Sequence, residues 1–250
     1  NFSTFAAEKN SLKEIFMHHP ILFVSLGPGD PELLTLKALK ALREADLILA
    51  PSISLPNGKE NSRAANLIRA IGVNTPIQTI VLPMSRQREA AMNIYTHFYE
   101  YAYEVYQKEK RVVIAVEGDA SIYASIHYVL DRFQNDGIPT LQLPGIPSFI
   151  AAASMAQLHL ISQDERLMVI PGNITTNEIE SFIGENYTLV IMKLSRCSED
   201  IQTCMLHHPE YEYLYFENIG TPQSLHLTDL NLLLKRTFPY FSLLILRKKR

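Results

Sequence analysis

Five turns in the sequence directly follow an apolar run, and four of them place glycine or proline next to polar residues. They read GPGDPELLTLKA from Gly27, EGDASIY from Glu117, PGIPSF from Pro144, MKLS from Met192 and ENIGTP from Glu217. In open α/β sheets, ligands bind beyond the carboxyl ends of the strands, where such turns lie. Glycine has no Cβ, so its backbone amide and carbonyl can approach a bound molecule closely. The five turns are therefore the candidate ligand-binding residues of this chain.

The first turn alone does not identify a ligand. Gly27 and Gly29 flank Pro28, and Asp30 is placed to cap the helix that follows. A third glycine, as in the dinucleotide fingerprint, is missing, and no Gly-Lys-Ser/Thr phosphate loop is present. A purely structural turn is therefore an equally good interpretation of these residues.

The second turn adds negative charge to a glycine. Gly118 would let the backbone approach a flat or cationic group, with Glu117 and Asp119 on either side. The structural alternative is that Asp119 caps the next helix. The third and fourth turns also have structural alternatives. Pro147 would begin a helix that packs through small residues, and Met192 would fill the core.

Apolar strands that alternate with helices position these turns. In the first part of the chain, strands are predicted at 21–26, 47–50, 77–82, 111–116 and 140–143, and helices at 31–45, 62–71, 86–108 and 122–134. This alternation predicts βαβ units and a mostly parallel sheet. In the second part, strands at 166–170, 187–193, 211–216 and 240–246, with helices at 175–184 and 197–206, favour a sheet with some antiparallel pairing.

The expected architecture is α/β with two α/β domains. We expect an N-terminal extension over residues 1–19, helical around 12–16, then an N-terminal domain over 20–160 and a C-terminal domain over 161–250.

Composition excludes several classes of function. The chain has 250 residues, 47% of them hydrophobic and 20% charged, with a net charge of −3. Such a balance argues against a nucleic-acid or anionic-membrane partner. Cys197 and Cys204 form no CxxC pattern and predict free thiols in a reducing compartment, the cytoplasm. His18–His19 and His207–His208 lack metal-site spacing, so no metal site is expected.

Taken together and in this order, the turns resemble those of the S-adenosylmethionine (SAM)-dependent tetrapyrrole, or class III, methyltransferases. The resemblance covers Ile21 to the C-terminus. Within that family, LPMSRQREA, EGDASIYAS and PYFSLLILRK are most similar to the precorrin-2 and cobalt-precorrin-2 C20-methyltransferases of cobalamin (corrin) synthesis.

The resemblance implies a site in which SAM lies between the two domains and contacts mainly backbone groups. The methyl transfer would leave S-adenosylhomocysteine as the product. The cofactor-binding residues that the resemblance implies are Pro28, Glu117, Gly118, Asp119, Ile122, Pro147, Ser148, Met192 and Gly220. Met192 would cover the adenine, and Asp119 or nearby carbonyls would face the ribose or the amino-acid end.

Two residues depart from the family's pattern. Ala120 follows Gly118-Asp119 where many members have proline, and Pro51 stands where uroporphyrinogen methyltransferases have an aspartate. The implied reaction is an in-line transfer from sulfonium to the C20 carbon, which requires positioning rather than a general acid. No catalytic residue is assigned; Glu117 and Tyr123 are weak candidates for assisting proton loss.

The resemblance also implies a tetrapyrrole substrate rich in carboxylates and a homodimeric enzyme. Arg63, Arg86, Arg88 and Lys193 are candidates for binding those carboxylates, or are ordinary surface charges. Two alternatives stay open. The first is methylation of another corrin position or of a different substrate within the same fold. The second is a module that binds SAM or a tetrapyrrole without turnover, which the Ala120 departure would fit.

Overall fold

The computed structural model describes residues 19–55, 58–82 and 88–249, apart from the side chains of residues 88–91. The expected extension over 1–19 therefore lies outside the described residues except for His19. The described residues form two compact units. One comprises those up to Gly27 together with those from Pro31 to Gly145, and the other comprises Pro28–Asp30 and those from Ile146 onward. The domain boundary expected from the sequence is 160/161.

The first unit contains a mostly parallel sheet, as expected. Its elements are β1 (Ile21–Ser25), α1 (Leu36–Glu44), β2 (Leu47–Ser54), β3 (Glu60–Asn61), α2 (Arg63–Ala70), β4 (Ile77–Val81), α3 (Arg88–Tyr106), β5 (Val112–Val116), α4 (His127–Asn135) and β6 (Thr140–Leu143). The strand order is β3-β2-β5-β1-β6, with β4 also paired to β2. All pairings are parallel except that of the short β3 with β2.

Helices cover both faces of this sheet because its central strands are apolar on both sides. Phe23 and Ile114 pack with α3 and α4 on one face. Val24 and Val113 pack with α1 and α2 on the other. Strands buried on both faces read as continuous apolar runs, which is why β1 and β5 were recognisable from the sequence.

The second unit contains a mixed sheet, also as expected. Its elements are α5 (Ser148–Met155), β7 (Arg166–Ile170), α6 (Thr176–Gly184), β8 (Tyr187–Met192), α7 (Ser198–His207), β9 (Tyr211–Glu217), β10 (Leu225–Leu227), α8 (Leu230–Leu234) and β11 (Ser242–Lys248). The strand order is β10-β9-β11-β8-β7, in which only the β7–β8 pairing is parallel among the described strands. The helices α6, α7 and α8 pack on one face around Ile183, Cys204 and Leu233.

Three local predictions require correction. Strand β2 continues through Pro51 to Ser54, beyond the predicted end at residue 50. Its pairing with β5 covers Leu47–Leu49, so the strand has no β5 partner at Pro51 and the missing proline N–H leaves no ladder bond broken.

The other two corrections concern helix caps. Helix α1 begins after Thr35, whose side chain accepts the Ala38 amide, so Asp30 is not its cap. Helix α4 begins at His127 rather than at residue 122, and its N-cap is Ile126, so Asp119 does not cap it.

Among the described residues, no helix is both long enough and apolar enough to cross a membrane. Cys197 and Cys204 are both buried and form no disulfide, as predicted for free thiols.

Candidate functional site

The first and second turns are joined in the first unit by a pair of reciprocal backbone hydrogen bonds. The Gly27 amide donates to the Gly118 carbonyl at 3.0 Å, and the Gly118 amide donates to the Gly27 carbonyl at 2.8 Å. Both residues follow parallel neighbouring strands, β1 and β5, at the same edge of the sheet. The bridge fixes the backbone of both turns where a ligand of this fold would bind.

Asp119 is a structural anchor of the second turn. One carboxylate oxygen accepts the Ser121 amide at 2.8 Å and also the Ser121 hydroxyl. The other accepts the Gly145 amide at 2.7 Å. Burial opposes ionisation, but the bonds from Gly145 and Ser121 outweigh it and lower the pKa of Asp119 below its usual value. Because both oxygens already accept bonds from the protein, this carboxylate is better suited to holding the turn than to binding a ribose.

Gly145 brings the third turn against the first two. A Cβ at this position would lie 2.7 Å from the Ser25 Cβ, 3.0 Å from the Gly118 carbonyl oxygen and 3.2 Å from the Gly27 nitrogen. The first distance is shorter than real Cβ contacts allow and the other two are tight, so a side chain at this position would force its neighbours to move. Three of the five turns therefore meet within the first unit.

Gly118 has the geometry of a residue that presents its backbone to a ligand. Its φ of +71° lies in the left-handed region that favours glycine. A Cβ added to it would meet no described atom within 4 Å. The turn residues that follow remain accessible, since Ile122 is half-buried and Tyr123 is exposed and also left-handed, with a φ of +49°.

Glu117 and Arg63 form an ion pair beside this turn. The Arg63 Nε lies 3.6 Å from the Glu117 Oε2. Burial raises the pKa of the Glu117 carboxyl, against the opposing effects of Arg63 and the Ala64 amide at the start of α2. The pair places one cation and one carboxylate of raised pKa at the carboxyl end of β5. A polar substrate could use either group.

In the second unit, Pro28 and Gly29 pack against Gly220. A Cβ on Gly220 would lie 2.7 Å from the Asp30 nitrogen, 3.0 Å from the Pro28 carbonyl carbon and 3.1 Å from the Gly29 nitrogen. Gly220 also has a φ of +79°. The structure thus brings together Pro28 and Gly220, two predicted cofactor-binding residues that are far apart in the sequence.

A buried charged group supports the start of the fifth turn. Arg236 Nε donates to the Glu217 carboxylate at 2.5 Å, and the Tyr215 hydroxyl donates to the same oxygen. Asn218 directly follows and donates its amide to the Phe241 carbonyl at 3.0 Å. Glu217 therefore anchors the strand end that leads to Gly220.

Met192 ends β8, and a glycine that the sequence reasoning missed packs behind it. A Cβ on Gly172 would lie 2.8 Å from the Met192 carbonyl oxygen and 2.7 Å from that of Lys193. Lys193 is left-handed, with a φ of +59°, and its Nζ lies 5.6 Å from the Tyr240 ring centre. The signal for Gly172 was present, because Pro171-Gly172 directly follows the apolar strand β7.

Pro147 and Ser148 stand at the start of α5, as predicted from the Ile146-Pro147-Ser148 run. Pro147 is the N-cap, with extended backbone, and its carbonyl accepts the Ile150 amide at 3.1 Å. Both residues are half-buried. The predicted cofactor-binding residues thus fall into two sets, one in each unit. The first comprises Glu117, Gly118, Asp119 and Ile122; the second comprises Pro28, Pro147, Ser148, Met192 and Gly220.

The candidate carboxylate-binding cations can be placed only in part. Arg63 lies beside Glu117, and Lys193 follows β8. Arg86 lies outside the described residues, as does the side chain of Arg88. In the part of the chain that the structure describes, no group of three or more His, Cys, Asp or Glu side chains could hold a metal ion.

Comparison with known proteins assigns the class. The family model of the Tetrapyrrole (Corrin/Porphyrin) Methylases matches residues 20–231. The chain belongs to this family, which confirms the resemblance seen in the sequence.

Two relatives and one solved structure define the likeness more closely. A precorrin-2 C(20)-methyltransferase of Sinorhizobium sp is 27% identical over 90% of this chain and 94% of its own length. A probable cobalt-precorrin-2 C(20)-methyltransferase of Methanocaldococcus jannaschii is 29% identical over 71% of this chain and 74% of its own. The Thermus thermophilus uroporphyrin-III C-methyltransferase, solved with S-adenosylhomocysteine, shares the fold with a TM-score of 0.64 at 21% identity, covering 92% of this chain and 97% of that one.

Proposed function

We propose that the protein transfers a methyl group from SAM to C20 of precorrin-2 or cobalt-precorrin-2 in the synthesis of the corrin ring of cobalamin. The observation that carries this proposal is the Sinorhizobium relative, which is named as a precorrin-2 C(20)-methyltransferase and matches 90% of this chain.

We further propose that the predicted cofactor-binding residues of the five turns bind SAM. The sulfonium of SAM supplies an activated methyl group, and this group requires no phosphate-binding lysines. The residues present fit such a ligand, because Gly118 presents an accessible backbone and a Cβ on it would meet no described atom within 4 Å. The Gly27–Gly118 bridge holds the backbone of both turns in place, and a site lined by backbone suits an adenosyl group.

In this proposal, the contribution of the protein to catalysis is positioning. The Gly27–Gly118 bridge and the Asp119–Gly145 bond fix the turns before any ligand arrives, which reduces the entropy lost in reaching the reactive geometry. Glu117, whose pKa burial raises, is our candidate for accepting the C20 proton after transfer. Tyr123 is the second candidate, since its exposed ring is held in a left-handed turn.

We propose that Arg63 binds a carboxylate of the tetrapyrrole. Its guanidinium carries five N–H donors and lies beside Glu117, near the carboxyl end of β5. Arginine pairs well with carboxylates because two parallel N–H donors match the two oxygens. We also propose that the enzyme is a cytoplasmic homodimer, on the basis of the family resemblance and of two buried cysteines that form no disulfide. Light scattering of the purified protein tests the oligomeric state.

Methyl labelling tests the reaction. The protein is incubated with methyl-¹³C SAM and, separately, precorrin-2, cobalt-precorrin-2 and uroporphyrinogen III, and the products are examined by mass spectrometry and NMR. We expect one label, at C20, from at least one of the two precorrin-2 substrates. A label at another carbon would overturn the position assigned here. Binding of S-adenosylhomocysteine without any labelled product would favour a binding module.

A further inference from the structure

The Ser25 hydroxyl and the Ala120 amide form a buried hydrogen bond that joins the end of β1 to the second turn. Ala120 N donates to Ser25 Oγ at 2.9 Å, across 95 residues of sequence. Ser25 has no exposed surface and Ala120 has 7%. Such a bond is shielded from water, so removing its acceptor leaves a buried donor unsatisfied.

This bond lies at the centre of the backbone cluster formed by the first three turns. Ser25 is the last residue of β1, two positions before Gly27. Its Cβ is also the atom that a Cβ on Gly145 would approach to 2.7 Å. Ala120 follows Asp119, the residue whose carboxylate accepts the Gly145 amide. One serine therefore contacts the second turn and packs against the third.

The bond accounts for the alanine after Asp119. Proline, which many members of the family have at this position, carries no N–H and stiffens a turn by restricting φ. Alanine restricts the backbone of the turn less than proline does, but its amide can donate a hydrogen bond to an acceptor. Ser25 supplies that acceptor at 2.9 Å.

We propose that Ser25 is a positioning residue for the cofactor: through the Ala120 amide it holds the 117–120 turn in the conformation that binds SAM. The hydrogen bond from Ala120 to Ser25 restricts the backbone of the turn, as a proline ring at position 120 would. This inference rests on the proposed function, because it assigns Ser25 to the same SAM site.

Ser25→Ala is the first test, with Ser62→Ala as its matched control. Ser62 is also a buried serine of the first unit whose Oγ accepts a backbone amide, that of Ala65 at 3.0 Å, and it is the N-cap of α2. We expect Ser25→Ala to weaken S-adenosylhomocysteine binding about tenfold, equivalent to about 1.4 kcal/mol. Both substitutions should lower the melting temperature by a similar amount. Ser62→Ala should leave the affinity for S-adenosylhomocysteine unchanged, as measured by calorimetry.

A double-mutant cycle tests the replacement itself. Ala120→Pro alone removes the donor and places the proline ring against the Ser25 hydroxyl, so it should weaken binding at least as much as Ser25→Ala. Combining the two substitutions removes donor and acceptor together and supplies the stiffness of proline. The double variant should bind S-adenosylhomocysteine within about twofold of the unmodified protein, a margin set by ordinary additivity error.

Hydrogen exchange of the Ala120 amide tests the bond in the unmodified protein, so this measurement does not depend on whether a variant folds. NMR of the unmodified protein should show this amide protected, and Ser25→Ala should accelerate its exchange. Unchanged affinity in Ser25→Ala, losses that multiply in the double variant, or rapid exchange in the unmodified protein would each overturn the inference. If the unmodified protein shows a protected amide but binds no S-adenosylhomocysteine, the proposed function fails instead, and the cofactor role of Ser25 fails with it.

Discussion

Ser25 and Gly145 are so close that a single added carbon would not fit between them. The Cβ that Gly145 lacks would lie 2.7 Å from the Ser25 Cβ and 3.0 Å from the Gly118 carbonyl oxygen. Neither neighbour can move freely, because Ser25 is in β1 and Gly118 is held by its bridge to Gly27. Close packing of this kind is what sets the positions of the three turns.

Gly145→Ala should therefore destabilise the protein by about 1–3 kcal/mol, the usual cost of overpacking. Gly184→Ala is the control, because a Cβ there would meet no described atom within 4 Å and its φ is not in the left-handed region. It should leave stability unchanged or raise it slightly, since alanine favours the end of α6. Urea unfolding measures both free energies. Equal stabilities for the two variants would contradict the packing at Gly145.

Gly118→Ala should reduce cofactor affinity beyond its effect on stability. The φ of Gly118 is +71° and that of Gly137, in the loop after α4, is +70°, and a Cβ on either would meet no described atom within 4 Å. An alanine should therefore cost both sites a similar backbone strain, about 1 kcal/mol. Gly118 is the one placed in the proposed site, so its new methyl group would lie where the ligand approaches.

Calorimetry with S-adenosylhomocysteine separates the two effects in these glycine variants. We expect Gly118→Ala to bind at least about tenfold more weakly, a change of about 1.4 kcal/mol, and Gly137→Ala to bind normally. A weakening of the same size in both variants would show that strain alone is responsible. Normal binding by Gly118→Ala would remove Gly118 from the cofactor site.

Arg63→Leu should raise the KM for the tetrapyrrole and leave S-adenosylhomocysteine affinity unchanged. The loss of a charge-assisted hydrogen bond, about 1.5–3 kcal/mol, corresponds to a rise of about ten- to a hundredfold. Arg69→Leu is the control, because Arg69 is exposed in the last turn of the same helix, α2. Steady-state kinetics with either precorrin-2 form measures both. If the two variants have the same KM, Arg63 does not bind the substrate.

How much of the site was predictable depended on how local its determinants are. Gly118 and Gly220 could be proposed as candidates because a glycine within three residues of the end of an apolar strand is a local pattern. Ser25 could not, because in the sequence it is a small polar residue at a strand end, and its partner Ala120 lies 95 residues away. The bonds that Asp119 accepts could not be predicted for the same reason, since one of them comes from the Gly145 amide, 26 residues further on.

The fold shows the same division between local and long-range determinants. Long apolar runs such as β1 and β5 were predicted nearly to their ends. The three-residue β10 and the five-residue α8 were missed, because so few residues show no periodicity. The start of α4 was placed too early because its helical pattern extends into a turn that Asp119 closes by accepting the Ser121 amide.

Glu217→Gln should lower stability at neutral pH and reduce its dependence on acid. Burial opposes ionisation of Glu217, but the Arg236 guanidinium and the Tyr215 hydroxyl outweigh it, so the pKa of Glu217 lies below its ordinary value of 4.5. A lowered carboxyl pKa stabilises the folded state above pH 4.5, and that contribution is lost as the pH falls through the folded-state pKa. Removing one charge of this largely buried pair should cost about 2–4 kcal/mol at pH 7.

Urea unfolding between pH 7 and pH 3 measures this contribution, with Glu185→Gln as the control. Glu185 is an exposed carboxylate at the end of α6 in the same unit. The unmodified protein and Glu185→Gln should lose stability steeply below pH 4.5, whereas Glu217→Gln should start lower and fall less. It should keep some acid dependence, because Asp119 also has a lowered pKa. Parallel curves for all three proteins would mean that the Glu217–Arg236 pair contributes nothing to folding.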